Sequence, residues 1–162
     1  MAFFDLPADN ELTPETRQTL AEYQRLTGTP VVSPTWKAFG RNPKIIEARF
    51  KAFQNLHSQS RFPWEARNIA VMLIAHAKRC QGCFAGARFQ LDKLGFDEAT
   101  LDGICANPSA LPLKERDRVF VQYALKIAMG SADLTPKDFK EMAAHGFAKE
   151  EIQEIIAFAA YW

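Results

Sequence analysis

EARNIAVMLIAHAKRCQGCFAGARFQLDKL, residues 65–94, is the stretch that decides the fold and holds the chemistry. Ile69, Met72, Leu73 and Ala77 recur at helical spacing, so the approach to the cysteines reads as a core helix. His76 lies four residues before Cys80, and Cys80 three before Cys83. On one continuous helix these side chains share a face, with ~6 Å of rise from His76 to Cys80. Two cysteines at i and i+3, in a helix or its first turn, have Cα atoms near the ~5.5 Å that a disulfide prefers. Such a bond can form and open with little backbone movement, which suits turnover better than stapling.

Outward from this stretch, helix-start signals recur. Thr13-Pro14, Ser33-Pro34, Asn42-Pro43 and Thr135-Pro136 each set a capping side chain before a proline. The side-chain oxygen accepts a first-turn amide, and the proline lacks only an N–H that had no partner. The pattern predicts an all-α chain with helices at about 14–27, 34–40, 43–57, 63–79, 82–94, 98–106, 113–129, 136–144 and 149–162. Gly28, Gly40, Gly95, Gly130 and Gly146 fall near the helix ends, where a left-handed closing residue is wanted. Thr29–Val32 alone could be extended, and it is too short for a sheet. Leu91, Gly95, Phe96, Leu101 and Ile104 are echoed by Met142, Gly146, Phe147, Ile152 and Ile155. These are either two copies of one hairpin or the common grammar of any two helical hairpins.

The 162 residues suit a single all-helical domain, 1–162, with Asn107–Pro112 as a connection between two helical halves. A net charge of +1 is wrong for a dedicated nucleic-acid binder. Thirteen phenylalanines exclude a disordered solvating chain. The longest apolar run falls far short of the ~20 residues of a membrane span, and MAFFDLPADNELTP lacks the basic start of a signal peptide. Three cysteines, an odd and low count, then point to a reducing compartment, the cytosol. Ile155–Trp162 is apolar on every side of its helix, which requires burial within the chain or between subunits. A homo-oligomer is expected.

A cysteine attacks as thiolate, and a free thiol with a pKa of ~8.5 is mostly protonated at neutral pH. His76, the nearby Lys78 and Arg79, Arg88 beyond Cys83, and a helix N-terminus, if Gly82 breaks the helix, could each lower that value. Glu65 has the right helical angle relative to Cys83, but 18 residues of straight helix is ~27 Å. It reads as a first-turn acid favoured by the helix dipole. For Cys80 and Cys83 the readings are a redox-active dithiol, buried inert thiols, or half of a metal site. The last needs two more ligands, and His57, His145 and Cys105 are scattered singly. His76 reads either as a satisfied histidine on a helix face or as a catalytic base. His57 and His145 read as helix-end residues, Cys105 as a small core residue, and Trp36, Trp64, Phe39, Phe50 and Phe53 as core. No metal or cofactor is expected.

The segment from Glu65 to Cys83 resembles the alkylhydroperoxidase D and carboxymuconolactone decarboxylase group. The Gly-Phe turns at Gly95 and Gly146 extend the resemblance over about residues 45–162. It implies an all-helical, oligomeric fold, as a trimer or hexamer. It implies a thiol-dependent peroxidase or disulfide oxidoreductase that reduces peroxides and is reset by an external dithiol reductant. It also implies that Cys83 attacks and Cys80 resolves. Redox members carry an acid about twelve residues upstream of the pair and a histidine four residues downstream, thought to relay a proton. Here those positions hold Asn68 and Ala87, and His76 is the one nearby base. The alternatives are a carboxymuconolactone decarboxylase-type enzyme and a non-catalytic redox-sensing helical oligomer.

Overall fold

The structure, a computed structural model, describes residues 5–162. The opening stretch read for a leader therefore lies partly outside the described residues. The described residues contain nine α-helices and two short 3-10 turns, Asp9–Glu11 and Ser131–Asp133, with no strand. They cluster into two compact units that divide between Ser58 and Gln59.

The first unit holds α1 (Pro14–Thr27), α2 (Pro34–Lys37) and α3 (Pro43–Ser58). Thr13 caps α1 by accepting from Thr16 N–H at 3.2 Å, and Gly28 closes it at φ 63°. Trp36 packs between Tyr23, with centroids 4.4 Å apart, and Phe53, edge-on at 5.9 Å. Phe50 and Phe53 are buried as expected, whereas Phe39 is 40% exposed and lies under the Arg49 guanidinium. The predicted helix 34–40 ends at Lys37, because the chain tightens into turns at Gly40 and Asn42. Gly40 is needed for closeness rather than handedness: a Cβ there would come within 2.5 Å of Leu12 Cδ2.

The second unit holds α4 (Trp64–Ala77), α5 (Gln81–Lys93), α6 (Glu98–Ala106), α7 (Glu115–Met129), α8 (Pro136–Ala144) and α9 (Lys149–Tyr161). In α4 ten consecutive residues, Ala66 to Ala75, are buried. Each large apolar one among them contributes about 1.5–3 kcal/mol of burial. The helix packs on α5 and α7, and α7 packs on α9. Phe120 stacks on Phe62 at 4.1 Å and meets Phe158 at 5.4 Å. Glu154 of α9 accepts from the Ser60 hydroxyl and from Arg61 N–H at 3.1 Å, fixing the chain just before α4.

The echoed hairpins share one geometry. Gly95 and Gly146 have φ of 90° and 81°. Phe96 N–H reaches back to Leu91 O at 3.1 Å, and Phe147 N–H to Met142 O at 3.2 Å. Gly130, expected to be left-handed, is extended, and a Cβ there would sit 2.7 Å from Asp133 Oδ2. In α9, Ile152, Ile155, Phe158 and Ala159 are buried, while Ala157 and Ala160 are exposed. The all-apolar stretch thus has one face in the core and one face of small residues open. No helix among the described residues is long and apolar enough to cross a membrane.

Candidate functional site

α4 and α5 are not one helix. α4 ends at Ala77 and α5 begins at Gln81. Arg79 N–H donates to His76 O at 3.1 Å and Cys80 N–H to Ala75 O at 2.9 Å. This is the paired closure of a Schellman turn, with Arg79 at the left-handed position, φ 55°, where glycine is usual. The separation of the expected helices 63–79 and 82–94 is thus found, and the shared face that one continuous helix would have given His76, Cys80 and Cys83 does not arise. His76 stands on the last turn of α4, Cys80 is the N-cap of α5, and Cys83 lies in its first turn. The break falls two residues before Gly82, which is itself helical. The physical cause lies in α4: its buried run stops at Ala75 and the next four residues are exposed, leaving no packing to continue the helix.

Cys80 and Cys83 are joined as a disulfide with Cα atoms 5.5 Å apart, and both residues are half-buried. Cys80 O accepts from Phe84 N–H at 2.9 Å, the first helical hydrogen bond of α5. The start of α5 carries neither a side-chain cap nor an acidic residue. His76 is exposed, and its ring faces Phe84 at 5.6 Å, beside the residue that follows Cys83.

Arg88, expected as a further cation for the pair, is engaged elsewhere. It bonds Asp102 at 2.6 Å and lies 3.9 Å from Glu98. The Asp102 hydrogen bond pushes the guanidinium upward. Cys105 is a free, half-buried thiol whose burial raises its pKa. Glu65 is an exposed first-turn residue of α4. Asn68 is buried and donates to Trp64 O at 2.8 Å; Ala87 is buried on α5. His145 ends α8 with Nδ1 3.6 Å from Glu115, and the His57 ring lies 3.9 Å from that of Phe53. Trp64 is half-buried rather than core, and its ring lies under Arg67. Among the described residues no cluster of three or more His, Cys, Asp or Glu side chains could hold a metal ion.

Several solved structures share this architecture. An alkylhydroperoxidase AhpD core from Ralstonia eutropha JMP134, an uncharacterized peroxidase-related protein, superposes with a TM-score of 0.81 at 22% identity, covering 98% of this chain and 83% of that one. An uncharacterized peroxidase-related protein from Silicibacter sp. TM1040 gives 0.81 at 24% identity, with 98% and 82% covered. A cysteine-to-alanine variant of the debrominase Bmp8, in complex with 2,3,4-tribromopyrrole, gives 0.78 at 16% identity, with 99% and 84% covered. No protein-family model and no curated protein matches the chain. The fold is thus the alkylhydroperoxidase D-like helical fold, as the resemblance implied.

Proposed function

We propose that this chain is a thiol-dependent peroxidase or disulfide oxidoreductase working through Cys80 and Cys83, in a homo-oligomer. The observation that carries the reading is the pairing of the two cysteines at the uncapped start of a helix, half-exposed and 5.5 Å apart at Cα. Peroxidase-related proteins among the structures of the same fold support it. In the reaction, one thiolate attacks a peroxide oxygen and the O–O bond breaks. The alkoxide or hydroxide leaves and takes up a proton, and the sulfur becomes a sulfenic acid. The second thiol attacks that sulfur and expels water, giving the disulfide. Two electrons have passed from the thiols to the peroxide, and an external dithiol returns them by exchange.

His76 is the proposed proton acceptor. His76→Ala should slow peroxide-driven oxidation by about 10²-fold, the low end for general-base catalysis. An unchanged rate would assign activation to Lys78, Arg79 or the helix terminus.

A second reading is favoured by one observation. The two positions at which the resemblance expects a proton relay are a buried amide, already bonded to Trp64 O, and a buried alanine. A chain without that relay suits a redox sensor that is oxidised once rather than turned over. Steady-state peroxide consumption with a defined dithiol donor separates the two. Turnover supports the peroxidase, and stoichiometric oxidation without turnover supports the sensor.

A further inference from the structure

We infer that Cys80, rather than Cys83, carries the thiolate in the reduced protein and attacks, with Cys83 resolving; this rests on the dithiol reading and reverses the roles that the resemblance implies. The two cysteines occupy inequivalent places at the start of α5. A side chain at the N-cap accepts from the second and third amides of its helix, here those of Gly82 and Cys83. In the disulfide the Cys80 sulfur is tied to Cys83 and does not cap them. Reduction releases it at the end of the helix where amides and dipole favour negative charge. No acidic residue in that turn competes with it.

Cys83, at the third position, has a different route to an amide: back to the N–H of the N-cap residue. That route is used elsewhere in this chain. Asp138, third in α8, accepts from Thr135 N–H at 2.8 Å, and Glu151, third in α9, accepts from Ala148 N–H at 2.8 Å. In α5 it is closed, because Cys80 N–H is already committed to Ala75 O at 2.9 Å. The turn that ends α4 therefore takes the one amide that would serve Cys83 and leaves those that serve Cys80. The Cys80 thiolate takes the peroxide oxygen and gives up two electrons to the O–O bond. The Cys83 thiol then attacks the Cys80 sulfur, and the oxygen leaves as water with the Cys83 proton.

The test uses Cys83→Ser and Cys80→Ser, each combined with Cys105→Ser so that one thiol remains, and each checked by thermal unfolding. Thiolate absorbance near 240 nm is followed against pH. At pH 7 the variant retaining Cys80 should hold ~10-fold more thiolate than the one retaining Cys83, equivalent to about one unit between their titration midpoints. After one equivalent of hydrogen peroxide, a dimedone adduct should form on Cys80 faster than on Cys83. Equal titrations, or a more ionised Cys83, overturn the assignment. The dithiol reading fails separately, if the wild-type protein forms no 80–83 bond on oxidation.

Discussion

In residues 59–162 three helices end with the same two backbone hydrogen bonds, at Arg79, Gly95 and Gly146. At Gly95 and Gly146 a Cβ would meet nothing within 4 Å, so the positive φ alone calls for glycine. Arg79 takes the same conformation with a full side chain, at a cost of about 1–2 kcal/mol. The turns also differ in the residue next along the chain. Phe96 and Phe147 succeed the glycines, the latter buried, and each opens the return arm of a hairpin. Cys80 succeeds Arg79. The turn with the unfavourable residue is the one that delivers the disulfide-bonded pair, held there by the buried helix that precedes it. Strain of this kind persists where the surroundings over-determine it.

The comparison breaks first at the cysteines. Either Cys80→Ser or Cys83→Ser should abolish turnover altogether while leaving the helical content unchanged. Peptide mapping of the oxidised wild-type protein should find the 80–83 bond and a free Cys105. Pairing of Cys105 instead would reduce the Arg79 turn to ordinary scaffold. Next in size, Gly95→Ala and Gly146→Ala should each destabilise by about 1 kcal/mol, the ~1–2 kcal/mol of left-handed strain less the ~0.5–1 kcal/mol of unfolded-state entropy that alanine removes, read as a drop of a few degrees in the thermal midpoint. Arg79→Gly should move the other way by less. Relief of the backbone conformation exceeds the ~0.5–1 kcal/mol that glycine adds in unfolded-state entropy, leaving a net gain of about 0.5 kcal/mol. A loss of stability in Arg79→Gly would show that the arginine side chain holds the turn.

The smallest effect contrasts the starts of α8 and α5. Asp138 is held down to about 2 from its ordinary 3.8 by the Lys126 hydrogen bond first, then by Thr135 N–H and hydroxyl. Its folded value is the lower one, so its contribution is full above about pH 3.8 and is lost as pH falls through about 2. Carboxyl NMR should place its midpoint there. The start of α5 has no carboxylate in its first turn and adds no such dependence.

The helices were legible because their starts are written locally. Thr13, Asn42 and Thr135 stand before prolines, and α1, α3 and α8 begin at those prolines. The cysteine pairing was legible for the same reason, since three residues of separation settle the Cα distance. The break between α4 and α5 was legible to within two residues, at the gap between the expected helices 63–79 and 82–94, but its form was not. Glycine is the usual residue at the left-handed position of such a turn, and here Arg79 holds it while Gly82 is helical. The real break depends on where α4 runs out of burial, at Ala75, a tertiary property that no residue type announces. The engagement of Arg88 by Asp102 escaped for a related reason: the partners lie 14 residues apart on different helices.

The clamp at Glu154 bears on the order in which this protein can assemble. Its carboxylate receives the Ser60 hydroxyl across 94 residues of chain. Contacts of such separation form late, after the entropy of closing the intervening loop has been overcome. During synthesis the entry to α4 therefore waits for residue 154 to emerge. Until then the most thoroughly buried helix of the chain lacks its N-terminal fastening, which makes that interval the one in which a nascent chain is most open to aggregation.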